Sequence, residues 1–267
     1  MSMSDETNEM SFHYSSVKLV GGERLVAAPL GRGIELRDRL SPSWEAVNDG
    51  LPESVHVNRL QSHNDQVFAC TDKGLFRLDD RKWQSTGLCV GTFQYRQYGT
   101  IEIAGTVSGL WVSEGEEWRV MMRADTVVYD FLYLPQFVIL STQEGLAIFD
   151  RLTSGWMKFD YNTAVTSIAV YRRTIIGTTE KGELLVSNAR GGFERYRVGG
   201  MFIFSIVPKE DAVYACTDRG LYRVSRIGRR ISLMAVKLGM QVTDIDCCGE
   251  QLYMATLFDG VQSMVRP

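Results

Sequence analysis

Scarcity is the first information in this chain. Its 267 residues include three histidines, five cysteines and six prolines. No apolar run approaches the ~20 residues needed by a membrane-crossing helix, so no membrane association is expected. The cysteines (Cys70, Cys89, Cys216, Cys247, Cys248) are odd in number and form neither a CxxC pair nor an even disulfide framework. Neither HxH nor HExxH occurs, and the aspartates form no calcium loop, so no metal is expected. Phosphate-binding loop, GxSxG elbow and dinucleotide fingerprint are also missing, so no cofactor is expected. The segment Met1–Met10 is polar and acidic, unlike a secretory signal, and the thiols read as reduced. Together these features predict a cytoplasmic protein. The formal charge is −3, and the charges read as evenly scattered, which argues against a nucleic-acid partner.

What is present is ordinary for a folded chain, with 45% hydrophobic and 23% charged residues. Beneath that composition lies a repeat. The phrases VFACTDKGLFRL (67–78), IEIAGTVSGLWV (101–112), VILSTQEGLAIF (138–149), IIGTTEKGELLV (175–186) and VYACTDRGLYRV (213–224) are variants of one another. A weaker copy, LVAAPLGRGIEL (25–36), precedes them, and LYMATLFDGVQSM (252–264) follows with one extra residue before its glycine. The marker glycines are 33, 74, 109, 145, 182, 220 and 260, spaced by 35 to 41 residues.

Each copy reads as β-structure. A β-branched, apolar strand precedes the glycine, the glycine permits a tight connection, and a second strand follows. Nine or eleven residues beyond the glycine stands an aromatic in five copies (Trp44, Trp83, Trp118, Trp156, Phe193), with Ile231 in the sixth. A further apolar strand lies ahead of each phrase. Four short strands per unit, repeated seven times, predict an all-β, seven-bladed β-propeller of four-stranded antiparallel blades, forming a single domain over 1–267. The last copy ends after three strands, so an N-terminal segment, Glu6 to Tyr14, is expected to supply its outer strand and close the ring.

The phrase followed by a tryptophan, as in VFACTDKGLFRLDDRKWQ, resembles sialidase-type (Asp-box, or BNR-like) repeats and the propellers of regulator-type sensor proteins. The resemblance covers nearly the whole chain and implies the same fold. The Asp-box hairpins are degenerate here: SEGEEW (113–118), DDRKW (79–83), DRLTSGW (150–156). No residue matches the arginine triad or the Tyr–Glu nucleophile of sialidases one for one.

The period also predicts which side chains face the central channel. Fifteen residues before each marker glycine (sixteen in the last copy) stand Lys18, Arg59, Gln94, Asp130, Ser167, Ser205 and Asp244, all polar. One residue along stand Leu19, Leu60, Tyr95, Phe131, Ile168, Ile206 and Ile245, all apolar or aromatic. That alternation is the strand period, dividing a wet channel face from a dry face between blades. The next channel row contains Arg96 and Asp246.

Lys18, Arg59 and Arg96 would form a cationic side and Asp130, Asp244 and Asp246 an anionic side. With Gln94, this is the expected ligand-binding set. In a water-filled channel, Arg59 and Asp130 would contribute little to stability. All five tryptophans are expected to pack in the core.

The leading functional expectation is a non-catalytic binding or scaffold protein taking a small molecule, glycan or protein at the channel face. The alternative is a lyase, hydrolase or isomerase at the channel mouth, for which stand-alone propellers of the virginiamycin-lyase type give an architectural analogy. Its candidate catalytic groups would be Asp130, Asp244 and His56, with Arg59 as an electrophilic clamp.

Overall fold

The computed structural model describes residues 14–115, 117–228 and 230–267. Seven antiparallel sheets follow one another along the chain. Their innermost strands are Tyr14–Val20, Val57–His63, Thr92–Tyr98, Val128–Tyr133, Val165–Tyr171, Ile203–Lys209 and Val242–Cys248. Each packs against the next, and the innermost strand of blade 7 packs against that of blade 1, so the ring is closed. The protein is a seven-bladed β-propeller.

Burial changes systematically across a blade. In blade 2 the second strand, Gln66–Thr71, is buried after its first residue, whereas only Trp83 is buried in the outermost strand, Lys82–Ser85. A strand covered on both faces by neighbouring blades needs apolar residues at consecutive positions, which explains the continuous run Val67–Cys70. At the outer edge alternation returns. Trp83 turns inward and donates from Nε1 to the Val47 carbonyl of blade 1 at 2.8 Å.

The repeated phrase has a physical basis in its turn. Gly74 and Gly220 adopt φ of 135° and 147°. A Cβ at these positions would lie 2.2 Å from the Leu88 carbonyl oxygen and 2.0 Å from that of Lys237. Only glycine fits so close to that neighbouring backbone. The threonine three residues earlier fixes the turn. Thr71 Oγ1 donates to the Gly74 carbonyl at 2.8 Å and accepts from Lys73 N at 3.1 Å, and Thr217 repeats both contacts.

Two expectations need correction. In the closing segment, Tyr14 belongs to the innermost strand of blade 1, pairing with Pro29. The remainder, 6–13, lies outside the described residues, and among those described blade 7 has three strands. Trp156 is not core: it is 39% exposed.

Candidate functional site

Every innermost strand carries a bulge near its start, between Val57 and Arg59 in blade 2 and at equivalent places in the others. The residue after the bulge points to the axis. It is Arg59, Gln94, Asp130, Ser167, Ser205 or Asp244 in blades 2 to 7, at the positions obtained by counting from the marker glycines.

Blade 1 differs. Its equivalent residue is Ser16, paired with Ala28 as Arg59 is with Cys70. Two loops of this blade are each one residue longer, which displaces the count by two. Because the strand period is two, Lys18 still faces the channel, one rung farther along. Likewise, Val17 and not Leu19 takes the fully buried place of Leu60.

The channel is drier than expected. Lys18, Gln94, Asp130, Asp244 and Asp246 are all buried, and Asp130 is 1% exposed. Their polar groups hold the blades to one another, so the expected cationic and anionic sides exist as ion pairs. Asp130 Oδ2 accepts from Ile168 N of blade 5 at 3.0 Å. Its Oδ1 accepts from Phe131 N at 2.8 Å and from Gln94 Nε2 of blade 3 at 3.1 Å. Gln94 in turn accepts from Gln61 Nε2 of blade 2 at 2.6 Å. Arg96 Nη2 lies 2.8 Å from Asp130 Oδ1, and Arg59 Nη1 is 3.8 Å from Oδ2.

Farther round, Ser167 Oγ accepts from Ile206 N at 2.8 Å, and Ser205 Oγ donates to the Thr243 carbonyl at 2.7 Å. Asp244 closes the seam between blades 7 and 1. Its Oδ2 accepts from Ser16 Oγ and Lys18 Nζ, both at 2.5 Å, and from Val17 N at 3.3 Å. Ser16 Oγ accepts from Leu60 N of blade 2 at 3.2 Å. A polar bridge therefore crosses every interface in the ring.

Burial alone, the largest influence, would raise the Asp244 carboxyl. Lys18, Ser16 and Arg59 outweigh it and hold the group below the usual carboxylate range. Asp246 accepts from Leu19 N at 2.8 Å and pairs with Lys209 Nζ at 2.6 Å. Burial would lower Lys209, but Asp246 and Asp244 outweigh it and hold the ammonium above its ordinary value. Lys209 and Ser16 escaped the sequence reading, although each lies at a period-two step along a strand whose channel face was already assigned.

A cavity of about 390 Å³ opens along this belt. Lys18, Arg59, Gln94, Arg96, Asp130, Ser205, Lys209 and Asp244 contribute to its wall. Asp246 sits behind Lys209. His56 is not part of it: the residue is exposed, and its backbone N–H donates to Asp72 Oδ1 at 2.8 Å. The carboxylates lie deep, and the guanidinium groups nearer solvent, with Arg59 and Arg96 side chains 25% and 22% exposed. Arg59 donates no hydrogen bond among the described residues, and Arg96 Nη1 is buried without a partner. All five cysteines are free. Burial pushes the Cys70 and Cys216 thiols up to about 12, which removes them as nucleophiles.

No family model matches this chain, and no curated protein matches it in sequence. Solved structures do match in fold. The extracellular domain of BT4673 from B. thetaiotaomicron superposes with a TM-score of 0.72 at 13% identity, over 96% of this chain and 38% of that one. PorZ, a surface component of the type-IX secretion system of Porphyromonas gingivalis, gives 0.67 at 12%, over 96% and 37%. This chain thus spans little more than a third of either. A catalytically inactive virginiamycin B lyase from Staphylococcus aureus, solved with quinupristin, gives 0.70 at 7%, over 97% of both chains. At these identities the likeness is one of fold. No helix among the described residues is long and apolar enough to cross a membrane.

Proposed function

We propose that this propeller is a non-catalytic recognition protein whose channel mouth takes a small ligand carrying an anionic group, such as an acidic sugar. One observation carries the reading: two guanidinium groups converge on the cavity with donors to spare. Arg59 stands 3.8 Å from its carboxylate without a hydrogen bond, and Arg96 Nη1 has no partner. A buried donor left unmatched costs about 1–3 kcal/mol, so a ligand oxygen that satisfied it would bind with that advantage. Asp130 beneath them holds Arg96 at 2.8 Å and draws Arg59 toward the same point by charge, which leaves the outer guanidinium edges to a carboxylate or phosphate. Lys18 and Lys209 are each matched by a carboxylate, Asp244 and Asp246, so the surplus positive charge at the mouth is that of two arginines over one aspartate.

A lyase, hydrolase or isomerase would need a group free to exchange a proton here. Asp130 and Asp244 are committed to ion pairs and backbone N–H groups, and His56 is elsewhere. The resemblance to sialidase-type repeats supports the fold and brings no catalytic group with it. Free cysteines support a cytoplasmic setting. The extracellular and surface settings of BT4673 and PorZ belong to those proteins.

The test is calorimetric titration with glucuronate and, as the uncharged control, glucose. Millimolar or tighter binding of glucuronate alone, lost in Arg59→Gln, is expected. Equal heats from both sugars, or an unaltered Arg59→Gln titration, would refute the reading.

A further inference from the structure

Unpaired charge in this molecule collects at the rim, away from the axis. Residues 172–237 hold thirteen Arg and Lys against six Asp and Glu, a local charge of +7 in a chain of −3, which leaves −10 on the remainder. The even scatter expected from the overall composition therefore does not hold.

In the structure this segment forms a groove of about 930 Å³ between blades 5 and 6. On one side are the outer strands of blade 5, Leu184–Ser187 and Phe193–Tyr196. On the other is the long outer hairpin of blade 6, Gly220–Ile227 and Arg230–Leu238. Arg173, Arg197, Arg226 and Arg230 line it, all exposed. Among the described residues none of the four has a carboxylate within ion-pairing distance, although other arginines of the segment do, as in Arg195–Glu183 at 3.3 Å. Among the described residues, Glu194 is the only acidic one in the lining. Val186, Val198, Ile231 and Leu233 form a half-buried apolar floor continuous with the core between the two blades.

Four like charges over an apolar floor repel one another and gain nothing from folding. Their arrangement suits an occupant that brings both carboxylates and apolar side chains. We propose that this groove docks a short acidic, apolar-spaced segment of a partner protein. The apolar side chains would lie on Ile231 and Leu233, and the carboxylates would meet guanidinium forks at the rim.

Nucleic acid is the less suitable polyanion. Among the described residues Tyr196 is the single aromatic in the lining, too few for stacking of successive bases.

The test uses the whole chain and fluorescence anisotropy with three labelled probes: a decapeptide alternating Glu and Leu, the same peptide with Gln for Glu, and single-stranded oligo-dT. The Glu–Leu peptide should bind, weaken as salt rises, and lose about tenfold or more in affinity, ~1.4 kcal/mol or more, in R226E/R230E. If that variant does not fold, the single substitution Arg173→Glu should show a loss in the same direction. Absence of saturable binding, equal binding of the Gln peptide, tighter binding of oligo-dT, or indifference to charge reversal would each overturn the proposal. Glucuronate binding at the channel should persist in R226E/R230E, so the two sites can fail separately.

Discussion

Arg96 at the axis and Arg226 at the rim carry the same guanidinium in the same kind of repeat. One lies 2.8 Å from a buried carboxylate, and the other is exposed, with no carboxylate in ion-pairing reach among the described residues. At the axis seven innermost strands converge, and N–H groups just past their bulges need acceptors away from bulk water. Asp130, Ser167, Asp244 and Ser16 accept N–H groups of the next blade there. Once a carboxylate accepts, burial demands a counter-charge, and Arg96, Lys18 and Lys209 follow. At the rim there is no such demand, so charge left unpaired in the blade 5–6 groove is free for a partner. Charge at the axis holds the ring together, whereas charge at the groove is available for binding.

The largest effect that could break this comparison lies at Asp130. Asp130→Ala would strand Arg96 and the backbone N–H groups of Phe131 and Ile168, so it should cost about 3–5 kcal/mol. Phe131→Ala, one residue along on the dry face, should cost a similar ~3–5 kcal/mol by opening a cavity. The wet-channel expectation was a sharp contrast between these neighbours, and the buried belt removes it. Urea titration of both variants decides the matter. A loss below about 1 kcal/mol for Asp130→Ala would return the axis to the status of a solvated surface.

A smaller effect should appear in the pH dependence of stability. Asp244 is held below its ordinary range in the folded state, so it contributes stability above the unfolded carboxylate value of about 3.9. That contribution disappears as pH falls through the lower, folded value. Lys209 is held above its ordinary value, so its contribution is complete below about 10.4 and is lost as pH rises through the folded value. Thermal melts from neutral to acid pH should show a steep acid limb that flattens in Asp244→Asn. An identical limb in the variant would mean that other carboxylates control acid unfolding.

The fold was legible because its determinants are local and repeated. Gly74 and Gly220 are demanded by one turn geometry, and the run Val67–Cys70 by burial on two faces. The channel face was legible through period two alone, which is why Lys18 remained on the right face although two lengthened loops moved it one rung from its expected place. Less legible was what the channel residues do. Periodicity places Asp130 on the axis, but nothing local reveals that Ile168, 38 residues on, points an N–H at its carboxylate. The groove was hidden by a different cause. Net charge averages over the chain, and a −3 total conceals a +7 segment balanced elsewhere.

The smallest effect sharpens the comparison from the other side. If the groove arginines serve binding and not folding, replacing Arg173, Arg226 and Arg230 with Gln should leave stability within about 0.5 kcal/mol, as for exposed residues without partners. The sign is informative as well. The three groups stand near Arg197 and face a single acidic residue, so neutralising them relieves repulsion, and a slight gain is expected in low salt that fades as salt screens the charges. Urea midpoints measured at low and high ionic strength would show this. A loss of about 1 kcal/mol or more would place the arginines among the groups that hold blades 5 and 6 together, and the distinction between axis and rim would fail.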